Sequence, residues 1–214
     1  MSYLKSIFAI FFLFNCTITI AQKSDEIFFY DENEKQVSQE VFEKLQNKRY
    51  SMVVKNDSLE KYRILPKDRT ERGKIGNLEE IILKIETRIG TPIDRTKPII
   101  IIYHPGQDPC NTSGSASYQS RRAWFKILEK KIFKISKTKP IYLYKKVDGL
   151  EKYNRIINWF KDPENIVEKT FFRFHYPCSS YVIISPDGTY ISFFGEFSKE
   201  QLWSHLEALK QSKL

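Results

Sequence analysis

The residues of this chain best equipped for chemistry are two cysteines, Cys110 in Gln107-Asp108-Pro109-Cys110 and Cys178 in His175-Tyr176-Pro177-Cys178. Each falls in a loop beside an expected core strand. A thiolate, not a thiol, attacks disulfides, so a histidine such as His104 or His175 near either sulfur would favour the reactive form. Two thiols that meet in an oxidising compartment have three uses: a structural staple, a redox couple, or half of a metal site. Imidazole and thiolate together suit zinc or copper, which makes His104, Cys110, His175 and Cys178 the alternative ligand set. The spacings His104-x5-Cys110 and His175-x2-Cys178 match no strong zinc signature, so neither a metal nor any other cofactor is expected.

An oxidising compartment is what the first residues announce. Lys5 supplies a positive end, Ile7 to Phe14 an apolar run, and Thr19-Ile20-Ala21 a small-x-small exit, so residues 1–21 are expected to be a signal peptide. Asn15, Cys16, Thr17 and Thr19 interrupt the run too early for a bilayer crossing, and no stable membrane span is expected after cleavage. Lipidation at Cys16 would want a small residue before it, and Asn15 after Phe14 fits poorly. The processed chain is thus expected to be periplasmic or secreted. Its formal net charge of +9 before processing would suit acidic polysaccharide or anionic lipid. Nucleic acid is not an expected partner of an exported chain, and the plainer account is that lysine is the favoured solvent-facing residue.

The elements that must position the cysteines fall into two parts. Residues 22–76 read as a small α+β extension: a strand over Ile27 to Tyr30, a helix carrying Val41, Phe42 and Leu45, and a hairpin around Asn56-Asp57. Pro66 to Gly76, with four cations, two acids and two glycines, reads as a connecting loop. Residues 77–214 are more regular. Asn77 opens a helix with Leu78, Ile81, Ile82, Ile85 and Ile89 on one face, ended by Gly90 and Pro92. Pro98 to Tyr103 is apolar on both faces, as a central strand covered by helices should be.

After the Cys110 loop, in which Asn111 to Ser115 is also expected to be irregular, Trp124, Ile127, Leu128, Ile132 and Ile135 form a helical stripe. A strand over Ile141 to Tyr144 and a helix over Leu150 to Phe160 follow, the helix stopping near Asp162-Pro163. Phe171 to Tyr176 reads as extended. Tyr181 to Ile184 and Tyr190 to Phe194 flank Ser185-Pro186-Asp187-Gly188 as a hairpin, and Ser198 with Gln201 caps a last helix bearing Leu202, Leu206 and Leu209. Trp124, Trp159 and Trp203 are all expected on helices as packing residues.

From Pro98 onward the order is strand, helix, strand, helix, hairpin, helix, which requires a mixed sheet with helices on both faces. In this order, in the Ser-Pro-Asp-Gly hairpin followed by Gly195 and a terminal helix, and in Asp-Pro-Cys after the first core strand, the chain resembles the thioredoxin-like superfamily, especially its exported bacterial members. The resemblance covers roughly residues 77 to 212. It implies an α/β thioredoxin-like mixed sheet flanked by helices, and it brings the Cys178 loop close to the Cys110 loop. The family opens its first core helix with Cys-x-x-Cys, whereas here Gln107 takes the first cysteine's place, Pro109 precedes the second, and Cys110 stands alone locally. The family also sets a cis proline before the first hairpin strand. The expected place is Ser179, and the nearest proline is Pro177, so a cis Tyr176-Pro177 bond would be the counterpart.

With proximity implied, Cys110 and Cys178 are the expected catalytic pair, with Gln107, Pro109, His175 and Pro177 as auxiliary residues. Thiol- or disulfide-bearing exported proteins would be the partners. The rival expectation is a catalytically silent binding or scaffold module in which a Cys110–Cys178 disulfide is only structural. The chain has no Gly-x-Ser-x-Gly elbow, phosphate-binding loop, dinucleotide glycine pattern or His-Glu-x-x-His, which removes the commonest hydrolase, nucleotide and metalloprotease readings.

Overall fold

The computed structural model describes residues 27–47, 52–56, 60–112 and 114–211. The expected signal peptide and the tip of the first hairpin lie outside them. At the front, β1 (Phe28–Tyr30), β2 (Gln36–Val37), α1 (Gln39–Gln46), β3 (Val53–Lys55) and β4 (Lys61–Ile64) build a four-stranded sheet in the order β2-β1-β4-β3. The antiparallel pairing of β3 with β4, Val54 opposite Arg63, is the hairpin expected around Asn56-Asp57. On α1, Phe42 is buried while Val41 stays exposed.

The main sheet has six strands. They are β5 (Thr70–Lys74), β6 (Ile99–His104), β7 (Ile141–Tyr144), β8 (Phe160–Lys161), β9 (Ser180–Ile184) and β10 (Thr189–Phe193), ordered β5-β10-β9-β6-β7-β8. Strands β6 and β7 are parallel, joined through a helical crossover, and β9 runs antiparallel to both of its neighbours, β6 and β10. Helices α2 (Leu78–Ile89) and α5 (Ile166–Phe171) lie with the core layer that takes Ile99, Ile101, Tyr103, Val182 and Ile184. The opposite layer takes Ile100, Ile102, Tyr181 and Ile183 against α4 (Tyr118–Ser136) and α6 (Lys199–Gln211). Adjacent residues of β6 and β9 thus feed opposite layers, which is why both strands are apolar throughout. The arrangement is the mixed, helix-flanked sheet that the thioredoxin-like resemblance implies.

Four local expectations are corrected. Residues 70–74, read as part of a loop, form β5, the edge strand paired with β10. Edge strands tolerate charge, and the ring of Tyr190 lies over Gly73, where a Cβ would come within 2.8 Å of the tyrosine hydroxyl. Residues 150–160 are not an α-helix but a single 3-10 turn at Glu151–Tyr153, a further turn, and β8 paired with β7. Arg155 there adopts φ 62°, outside helical space, and Trp159 packs on Tyr142 and Tyr153, so tertiary packing overrides the helical spacing. Finally, Ile166 to Phe171 is helical, so Phe171 ends α5 and does not begin an extended run. The stripe on α4 is also shifted: Phe125 is buried and Ile127 is exposed.

The start of α5 carries a titratable cap. Asp162 is 1% exposed, and its carboxylate accepts the amides of Val167 at 3.1 Å and Glu168 at 2.9 Å. Burial pushes its pKa up to about 6, with the two amide bonds opposing. A folded pKa raised above the unfolded value means the folded state holds the proton more tightly. Its contribution is therefore fully present below pH about 4 and lost as pH rises through about 6, by about 3 kcal/mol. Chemical denaturation across that window should show this decline in the wild-type protein relative to Asp162→Asn. Parallel curves for the two proteins would refute it.

Candidate functional site

Strand register sets the site. Tyr103, near the end of β6, pairs with Ser180, the first residue of β9, so the loop leaving β6 and the loop entering β9 emerge at the same end of the sheet. The first loop closes into α3 (Pro109–Thr112), one turn that includes Asn111 and Thr112, where an irregular segment was expected. Pro109 leads this turn, a position where its missing N–H costs nothing. Cys110 on α3 and Cys178 before β9 are joined as a disulfide, with Cα atoms 5.2 Å apart and 68 residues between them in sequence. Both are half-buried.

Asp108, 8% exposed, is the hub beneath this bond. Its Oδ1 accepts the Asn111 amide at 2.8 Å, capping α3, and its Oδ2 accepts the Cys178 amide at 2.9 Å. The same Oδ2 lies 3.3 Å from Nε2 of His175. Asn111 answers from the other side: its Oδ1 accepts the Asp108 amide at 3.2 Å, and its Nδ2 donates to the carbonyls of Gly106 and Cys178 at 2.8 and 3.5 Å. Cys178 sits at φ 70°, a left-handed conformation that a non-glycine residue keeps only when its surroundings hold it there. Gly195, at φ 82°, lets the backbone after β10 approach the Pro177 carbonyl, which a Cβ would meet at 3.2 Å.

His175 joins the site through Asp108, and its amide donates to the Lys55 carbonyl of β3 at 2.9 Å, tying the front sheet to the cysteine loop. Gln107 is exposed beside the turn. No described peptide bond is cis, so the expected cis Tyr176-Pro177 bond is instead trans. His104 does not come to the sulfurs: it is fully buried, its Nε2 donates to the Asp148 carbonyl at 2.9 Å, and its ring lies against Trp159. Burial lowers its pKa, which keeps the imidazole neutral. Among the described residues, the ligand atoms that gather within 4.8 Å are those of Asp108, Cys110 and Cys178. With both sulfurs in a covalent bond, the alternative set of His104, Cys110, His175 and Cys178 is not assembled.

The disulfide opens on a cleft of about 330 Å³. Trp124, Phe125, Tyr153, Trp159 and Phe197 wall it, so two of the three tryptophans face a cavity as well as the core. Arg121 and Lys152 stand in its lining too. Lys152 donates to the Asn111 carbonyl, and its pKa is lowered, first by burial and then by Arg121. The Asp108 carboxylate lies within 4.8 Å of both sulfurs, so it would oppose a thiolate on either cysteine after reduction. Sequence reading missed Asp108, Asn111 and the cleft cations. The signal for the first two was present in Asp108-Pro109-Cys110-Asn111, where an acid lies three residues ahead of the amide it caps.

No protein-family model and no curated protein matches the chain. Among solved structures, it is similar to a secreted Mycobacterium tuberculosis disulfide oxidoreductase homologous to E. coli DsbE, at 12% identity, covering 76% of this chain and 98% of that one, with a TM-score of 0.34. At that TM-score the likeness carries no weight, and the fold rests on the strand order and register described above.

Proposed function

We propose that the chain is an exported thioredoxin-fold protein that exchanges thiols and disulfides through Cys110 and Cys178. The observation that carries this reading is where the bond lies: half-buried at an aromatic cleft, and outside both core layers. Export rests on the pattern of residues 5 to 21 and agrees with a persistent disulfide.

In the reduced form, the thiolate of one cysteine attacks a substrate disulfide. A mixed disulfide forms and one substrate sulfur leaves as a thiolate that takes a proton from water. The second cysteine then attacks the mixed disulfide, the Cys110–Cys178 bond closes, and the other substrate sulfur leaves. Two electrons have passed to the substrate, and a dithiol donor resets the pair by the reverse steps. The cleft suits an extended, partly apolar segment of a thiol- or disulfide-bearing exported protein, which would bury its side chains against Trp124 and Phe197.

Turnover of a disulfide-bearing peptide should be lost in Cys110→Ser and in Cys178→Ser. Trp124→Ala should raise KM for that peptide about tenfold, while leaving turnover of a small dithiol unchanged. Equal turnover in the wild type and both serine variants would remove the proposal.

A silent binding or scaffold module is the second reading, favoured by Gln107 in the place of a local partner and by the Asp108 carboxylate close to both sulfurs. Thiol titration of protein isolated from an oxidising compartment separates the two readings in part. Two free thiols there would eliminate a structural disulfide.

A further inference from the structure

Helix α4 presents two unlike faces. Inward it buries Phe125, Leu128 and Ile132, and its single carboxylate, Glu129, turns in to accept the Tyr142 hydroxyl at 2.8 Å. Outward, Arg122, Lys126, Lys130 and Lys134 recur every fourth residue, with Lys137 at the end of the helix. Among the described residues, none of the first four has a carboxylate within 4.0 Å, whereas Lys131, on the flank, pairs with Glu207 of α6. Between these cations, Ile127 and Phe133 are 52% and 50% exposed. The outer face of α2 is different in kind. There Glu79, Glu80 and Lys84 are all engaged in ion pairs of opposite sign, as on an ordinary solvated helix.

We propose that the outer face of α4 docks the protein on an anionic lipid surface. A row of cations alone would take any polyanion. Ile127 and Phe133 choose among them, because two bulky apolar side chains towards the edges of a basic face gain by entering the boundary between headgroups and acyl chains, and gain nothing on a sugar polyanion. The lysine stems can lie along that boundary with their ammonium groups among the phosphates. No helix of the described residues is long and apolar enough to cross a membrane. Arg121 and Trp124 lie in the cleft lining and not on this face, so docking leaves the disulfide cleft open.

The test uses the processed protein beginning at Gln22, sedimented with vesicles of equal parts phosphatidylglycerol and phosphatidylcholine, and with pure phosphatidylcholine. Binding is expected to the first only, and to weaken with added salt. The triple variant Lys126→Gln/Lys130→Gln/Lys134→Gln should lose affinity by a factor on the order of 100, at about fivefold per cation. Ile127→Ser/Phe133→Ser should lose about tenfold on vesicles yet hold dextran sulfate as the wild type does. Lys84→Gln, on α2, is the control expected to change nothing. Absence of binding to anionic vesicles, indifference to the triple substitution, or vesicle binding unchanged in the Ile127/Phe133 variant would each overturn the proposal. Because every side chain substituted on α4 is exposed, matching melting curves are expected for the α4 variants.

Discussion

Cys110→Ser and Cys178→Ser should each lower stability by about 4 kcal/mol, because the bond they remove spans 68 residues of sequence and that much chain is freed in the unfolded state. Against a usual domain stability of about 5–15 kcal/mol, this is a large fraction. The double variant should be no less stable than either single one, since all three lose the same bond. Chemical denaturation of the wild type with and without reductant, and of the three variants, measures it; losses below about 1 kcal/mol would refute the estimate.

Linkage gives the same quantity a functional meaning. Whatever the bond adds to the stability of the fold, the fold adds to the stability of the bond, and about 4 kcal/mol corresponds to about 90 mV relative to an unstructured disulfide. A pair held oxidised by that margin would serve as an electron donor to its partners. The Asp108 carboxylate acts in the same direction by opposing a thiolate on either sulfur. Asp108→Asn removes the charge, and the potential of the pair is expected to rise; an unchanged or lower potential would show that the loop geometry alone sets it.

What could be read from the sequence was what repeats or is bracketed. Strand β6 is a continuous apolar run, and the β9–β10 hairpin is framed by Pro186 and Gly188, so both were legible, and with them the end of the sheet where the cysteines meet. Strand β5 was not, because Thr70-Glu71-Arg72-Gly73-Lys74 has no apolar alternation: the face that Gly73 presents under the ring of Tyr190 also carries Glu71, paired with Arg63. The 150–160 segment misled for the opposite reason. Its apolar spacing is helical, but Tyr153, Ile156, Ile157 and Trp159 reach the core from turns. The hub at Asp108 was hidden because its meaning depends on Cys178 and His175, which are distant in sequence and adjacent only once β6 and β9 pair.

Arg63→Met is expected to cost about 3–5 kcal/mol, for reasons that reach from the front sheet to the cysteine loop. The Arg63 side chain, on β4, is 2% exposed. Its Nη1 donates to Glu34 and its Nη2 to the Glu32 carbonyl at 3.1 Å, and both nitrogens reach Oε2 of Glu71 on β5, at 3.5 and 3.4 Å. The Tyr176 hydroxyl is 3.4 Å from Nη1, and the guanidinium lies 5.4 Å from the centre of the Phe194 ring. One cation thus joins the turn after β1, the edge strand of the main sheet and the residue two before Cys178. Removing it leaves Glu34 and Glu71 near each other with, among the described residues, Arg173 alone to compensate, at 2.5 Å from Glu34 and 3.9 Å from Glu71. Lysine cannot rescue it, since a single ammonium does not span these acceptors as the planar fork does. The cost is that of orphaned partners, not the net worth of the pair, so Arg63→Met combined with Glu34→Gln should recover part of the loss. A double-mutant cycle by chemical denaturation reads that coupling, and a value near zero would mean that Arg63 acts through packing on Phe194 alone. If the network holds the cysteine loop as its contacts indicate, Arg63→Met should also make the Cys110–Cys178 bond easier to reduce, because a loosened Tyr176 leaves Cys178 less firmly held in its left-handed conformation.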